Sequence, residues 1–158
     1  MEITYGMYTT ISTIASTEPI HYRDSLPGTQ YFPIKTVDEI IRQMKDNGNE
    51  ICRENMHLSN HVIDLLHSDT VYYALVDNEI IGTAWCCHSG KDLFITLMCT
   101  DASYKGVGTQ LMNRMKRYVT EHSMESIRLD PVPYSEGFYK KMGFQRDNKY
   151  MTWTPEFN

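Results

Sequence analysis

The sequence predicts an α/β fold, a single domain in which a mixed, mainly antiparallel sheet is flanked by helices. Two β-rich runs, 71–76 and 80–87, flank the polar connection Asp77-Asn78-Glu79 and read as a hairpin. A polar turn, 88–92, leads into a third apolar run, 93–99. There the period changes: Leu111, Met115 and Tyr118 or Val119 recur at the spacing of one helical face, and the change falls on Gly106 and Gly108.

The first strand is expected within residues 2–14, rich in Ile, Thr and Tyr. Residues 15–35 hold Pro19, Pro27, Gly28 and Pro33 and read as an irregular connection whose Tyr22, Tyr31 and Phe32 either line a substrate mouth or pin the loop to the core. Thr36 can cap a helix from Val37, with Asp38 and Glu39 in its first turn and Asn47-Gly48 at its end. A second helix is expected over 50–67, with Ile51, Leu58, Val62, Leu65 and Leu66 on one stripe. After the meander and the glycine-loop helix, a short strand at 126–130 stops at Pro131-Val132-Pro133. A helix at 134–142 ends at Gly143, and 148–154 supply the last strand. With no internal repeat or linker, residues 1–158 form one domain.

Composition narrows the partners. The first 90 residues carry 12 Asp and Glu against 5 Lys and Arg, the remainder 8 against 10, so a polyanionic ligand is favoured by the C-terminal half and a cationic one by the N-terminal half. No basic stripe suits nucleic acid, and no run of roughly 20 apolar residues suits a membrane. A cytoplasmic location is expected. Cys52, Cys86, Cys87 and Cys99 form no C-x-x-C pair and are expected to be reduced. His57 and His61 stand i, i+4 on a helix but lack the intervening Glu of the H-E-x-x-H zinc motif, so no metal is expected.

Gly106 and Gly108 remove β-carbons that would hold a ligand off the backbone, and the amides of residues 107–110 begin a helix as unpaired donors. Together they suit a phosphate or pyrophosphate. No Lys-Ser or Lys-Thr follows, which excludes a P-loop, and no third glycine completes a dinucleotide fingerprint. The segment Ser103-Tyr104-Lys105-Gly106-Val107-Gly108 resembles the acyl-CoA loop, Gln/Arg-x-x-Gly-x-Gly/Ala, of the GNAT superfamily of N-acetyltransferases, with Ser103 in place of Gln or Arg. About 30 residues on, Phe138-Tyr139-Lys140-Lys141-Met142-Gly143-Phe144 is similar to the F-Y-x-K-x-G-F segment of the same family.

The resemblance implies acetyl-CoA as co-substrate and a direct transfer of its acetyl group to a primary amine in a ternary complex. Leu97, Met98 and Cys99 would lie where their strand splays from its neighbour, freeing amides for the pantetheine arm and for the oxyanion. Ser103, Tyr104, Lys105, Gly106, Val107, Gly108 and Thr109 would hold the pyrophosphate, with Lys105 and Arg114 adding charge. Tyr139 would protonate the leaving thiolate, since a phenol with its ordinary pKa near 10 keeps its proton at neutral pH. The base that deprotonates the amine stays open between Asp92, Asp130, His88 and water, and Pro131-Val132-Pro133 stand where the family often has an Asn. The acidic N-terminal half favours a small cationic acceptor such as a polyamine. A peptide lysine or N-terminus is the alternative acceptor, and a non-catalytic CoA-binding or interaction module the alternative class, with a homodimer left open.

Overall fold

The expected meander organises the sheet. In the computed structural model, residues 2–9, 20–23, 68–77, 79–101, 103–131 and 133–156 are described. The strands are β1 Thr4–Thr9, β2 Ile20–Arg23, β3 Thr70–Val76, β4 Glu79–Ser89, β5 Asp92–Thr100, β6 Ser126–Leu129, β7 Gln145–Asp147 and β8 Tyr150–Trp153. Helix α1 spans Val107–Glu121 and α2 spans Glu136–Lys141, the latter entered through a 3-10 turn at Pro133–Ser135. Among the described residues these strands form one sheet in the order β2-β1-β3-β4-β5-β6-β8-β7. Only β5 and β6 run parallel, because α1 carries the chain from one to the other; every other neighbouring pair is antiparallel. The helices expected at 37–47 and 50–67, with His57 and His61, lie outside the described residues.

Two strands depart from the sequence reading. β2 lies inside the stretch 15–35 read as irregular: four residues after Pro19 are too few to display alternation, and their pairing with β1 makes them a strand. β7 precedes the expected last strand, and all three of its residues are exposed, so backbone pairing with β8 defines it. Asn148, at φ 56°, supplies the left-handed turn between them, a conformation that Asn tolerates better than most residues.

The main core lies on one face of the sheet, beneath α1. Val107, Leu111, Met112, Met115 and Val119 of α1 are buried against Tyr72, Ala74, Ala84, Cys86, Leu93, Ile95, Ile127 and Leu129. Fully burying one such side chain contributes roughly 1.5–3 kcal/mol, so this face sets where α1 sits. Arg114 is also buried on it, with its guanidinium carbon 3.9 Å from the Tyr5 ring centroid and Nη1 donating to Gln110 Oε1 at 2.9 Å. This corrects the expectation that Arg114 adds charge at the glycine loop: the side chain packs inward as a cation on an aromatic ring.

The cysteines also differ from expectation. Cys86 and Cys87 are free thiols, but Cys99 is disulfide-bonded. Spacing along the chain carries no information on such a pairing.

Candidate active site

The centre of the molecule is the place where β5 leaves β6. Their pairing covers Asp92 to Ile95 against Ser126 to Leu129 and then ends, so Leu97, Met98 and Cys99 stand on a stretch with β4 on one side and no described strand on the other.

A bulge decides which side chains face α1 there. Trp85 pairs with Leu97 while Cys86 pairs with Ile95, which makes Thr96 an extra residue. Leu93 and Ile95 lie in the core beneath α1, and after the bulge it is Met98 and Thr100, opposite Ala84 and Gly82, that take this face. Leu97 and Cys99 are buried on the other face, opposite Trp85 and Thr83. One inserted residue thus reverses the parity of the strand at the point where the sheet opens.

The glycine loop follows directly. Gly106, at φ 81°, is the N-cap of α1, a left-handed position with nothing near an added β-carbon, so backbone conformation selects glycine there. A β-carbon at Gly108 would instead lie 3.4 Å from Phe138 Cζ and 3.5 Å from Met98 Cε. The second glycine therefore lets the helix start approach the Phe138-Tyr139 segment and β5.

Gln110 N donates to Gly106 O at 3.0 Å, and no side chain caps the helix. The amides of Val107, Gly108 and Thr109 precede the first intrahelical bond, which narrows the expected donor set from four to three. Ser103 and Tyr104 use their amides elsewhere: Ser103 N donates to Asp101 Oδ1 at 2.9 Å, and Tyr104 N to Asp101 O at 3.1 Å. Tyr104 packs against the core, and Lys105 is exposed beside the open amides.

The second motif brings Tyr139 to this place. Its α2 helix stops at Gly143, φ 92°, where Phe144 N donates to Tyr139 O at 3.0 Å and the Phe144 ring packs on Tyr139 at 5.5 Å. Lys116 Nζ donates to Met142 O, tying the end of α2 to α1. Tyr139 is buried, and its hydroxyl donates to Met98 Sδ at 3.9 Å, on the parted stretch of β5.

The three carboxylate and imidazole candidates are spread apart. Asp92 accepts from Ser126 Oγ at 2.5 Å with Arg128 at 4.0 Å, and stands four residues before Thr96, roughly 13 Å away along an extended strand. His88 belongs to a different cluster. Asp69 accepts from its backbone N at 2.7 Å and contacts Nδ1 at 2.8 Å, while Nε2 lies 2.8 Å from the Tyr118 hydroxyl. Because the carboxylate only accepts, Nδ1 carries the proton that faces it. Asp130 directly follows the last paired residue of β6, with Lys149 3.7 Å away.

The Asp69 cluster has a measurable consequence for stability. Burial alone would raise the Asp69 pKa, but the hydrogen bonds from the His88 side chain and backbone, the electrostatic attraction of the His88 ring and the hydrogen bond from Thr70 outweigh it and hold the carboxyl below its ordinary value. A lowered folded value means that this stabilisation is present above about pH 4, the ordinary carboxylate value, and is lost as pH falls through the lower folded one. Asp69→Asn is expected to destabilise by about 1–3 kcal/mol at neutral pH. In urea unfolding, the gap between the two proteins should close between about pH 5 and about pH 2; a gap independent of pH would contradict this role.

Comparison with known proteins settles the family. The acetyltransferase (GNAT) family profile matches residues 35–144. The chain belongs to the GNAT acetyltransferase family. It is an acyl-CoA-dependent N-acetyltransferase, and acetyl-CoA is its acyl donor.

Solved structures of similar fold include the ribosomal-protein-S18-alanine N-acetyltransferase of Escherichia coli, with a TM-score of 0.63 at 9% identity, covering 79% of this chain and 92% of that one. Tetrahymena GCN5 gives 0.62 at 15% identity, covering 75% and 88%. The aminoglycoside 6'-N-acetyltransferase of Enterococcus faecium gives 0.56 at 14% identity, covering 77% and 93%. No curated protein sequence matches the transferase. Among the described residues, no helix is long and apolar enough to cross a membrane, and no group of three or more His, Cys, Asp or Glu could hold a metal ion.

The geometry suits the donor. Three helix-start amides without intrahelical acceptors, beside an exposed lysine, fit a diphosphate, and the stretch of β5 beyond its pairing with β6 fits an extended amide-bearing arm. Sequence reasoning missed Gly82, on which the position of this seat depends. A β-carbon there would lie 2.7 Å from Val107 Cγ1, a contact between β4 and α1 that only the fold reveals.

Proposed function

We propose that the transferase acetylates a primary amine of a small cationic molecule, of the polyamine kind, by direct attack within a ternary complex in the cytoplasm. One observation carries the reading: the open amides of Val107, Gly108 and Thr109 and the hydroxyl of Tyr139 lie around the parted stretch of β5. Acetyl-CoA supplies an activated thioester. The three amides and Lys105 bind its diphosphate, and the parted stretch at Leu97, Met98 and Cys99 orients the arm and polarises the carbonyl.

The amine nitrogen bonds to the carbonyl carbon as the carbon–sulfur bond breaks, and Tyr139 gives its proton to the departing sulfur. The amine must shed a proton before attack. Asp130, next to the point of parting, is the best placed of the three candidates to take it, directly or through water. The preference for a cationic acceptor rests on the excess of carboxylates in the first 90 residues, 12 against 5 basic side chains.

Thiol release from acetyl-CoA, measured across polyamines, aminoglycosides, amino acids, lysine peptides and alanine-terminated peptides, tests this. The expected result is the highest kcat/KM with polyamines. A peptide ranking first would move the acceptor to the protein class. Calorimetric binding of CoA without turnover of any amine would support a binding module instead.

A further inference from the structure

The sulfur of Met98 stands against the group read above as the acid. We propose that Met98 is a positioning residue for the transfer, its thioether holding the Tyr139 hydroxyl toward the parted stretch of β5; this rests on Tyr139 protonating the leaving thiolate.

Three observations meet at this side chain. The Tyr139 hydroxyl donates to Met98 Sδ at 3.9 Å, within a phenol environment that is 6% exposed. Met98 reaches this face only because Thr96 is bulged, since unbroken alternation from Ile95 would point it to the opposite side of the sheet. Its methyl group would meet a β-carbon at Gly108 at 3.5 Å, so the same side chain touches the start of α1.

A thioether suits the task. It is a weak, polarizable acceptor that packs well against aromatic rings, so it can set the direction of a phenolic O–H yet yield the proton to a stronger base. A thiolate is that stronger base, and like Met98 it offers sulfur as the accepting atom. The bulge, the second glycine and the F-Y segment thereby act on one atom: they bring a sulfur acceptor to the hydroxyl before the thiolate forms.

Steady-state kinetics on Met98→Leu, Tyr139→Phe and the double variant test the proposal, with the preferred amine and acetyl-CoA both varied. Leucine keeps the volume and removes the sulfur, a change cores tolerate well; Met98→Ile, read in the same way, covers a leucine variant that fails to fold. The expected result is a kcat about tenfold lower in Met98→Leu with KM for acetyl-CoA within about twofold, and almost no further loss when the change is added to Tyr139→Phe. Undiminished kcat in Met98→Leu overturns the proposal. So does an equal loss in both backgrounds, which would mark a packing role. A Tyr139→Phe enzyme with full turnover instead removes Tyr139 from the reaction, whatever Met98 does.

Discussion

Tyr139→Phe is expected to lower kcat by about 100-fold or more, with acetyl-CoA affinity and thermal stability close to those of the native protein. The ring stays, and with it the packing of Phe138 and Phe144 on Tyr139 at 5.2 and 5.5 Å. What disappears is one donor at the parted strand. General acid catalysis contributes typically about 10²–10⁴-fold, and a thiol with an ordinary pKa near 8.5 is already a fair leaving group, which places the effect toward the lower end. The same logic supplies a control. An acyl donor whose thiol is more acidic needs less help from the phenol, so the deficit should shrink with it. A purely structural role would leave the deficit unchanged across donors. Equal turnover of the two proteins, or a loss expressed wholly in KM for acetyl-CoA, would rule out proton donation by this residue.

Which features were legible depends on how locally each is determined. The β3–β4–β5 meander and α1 could be read because their apolar residues recur at characteristic spacings over seven or more residues. Gly143 announced the end of α2 because a left-handed stop favours glycine. The bulge at Thr96 was hidden, since every second residue from Leu93 to Cys99 is buried as in an unbroken strand. Burial on two different faces yields the same pattern as burial on one. The Asp69–His88–Tyr118 cluster joins side chains 19 and 30 positions apart, and Arg114, expected to add charge at the glycine loop, packs instead on the Tyr5 ring of β1. Nothing local distinguishes such residues from solvated ones. Asp101 belongs to the same class, because a carboxylate that engages the Ser103 amide reads in sequence as one more polar loop residue.

Gly82 offers the sharpest test of how the donor seat is held. Gly82→Val is expected to destabilise the protein by about 1–3 kcal/mol, the usual range for overpacking a tight interior, and to weaken acetyl-CoA binding at the same time. Even a β-carbon at this position would come within 2.7 Å of Val107 Cγ1 and 3.3 Å of Leu111 Cδ1, with Thr100 Cγ2 at 3.5 Å. Val107 cannot readily move aside: its branched side chain is stiff at χ1, and it is almost fully buried. The strain is therefore relieved by lifting the first turn of α1 away from β4, and Val107 is also the first of the three open amides. Stability and donor affinity should consequently fall together. Gly137→Ala provides the contrast, since nothing lies within 4 Å of its added β-carbon in α2; there the exchange should be neutral or stabilise by up to about 1 kcal/mol. Chemical unfolding and calorimetric titration with acetyl-CoA on both variants read the two effects. A Gly82→Val protein that loses stability but binds acetyl-CoA as tightly as the native chain would mean that the start of α1 is not what holds the diphosphate.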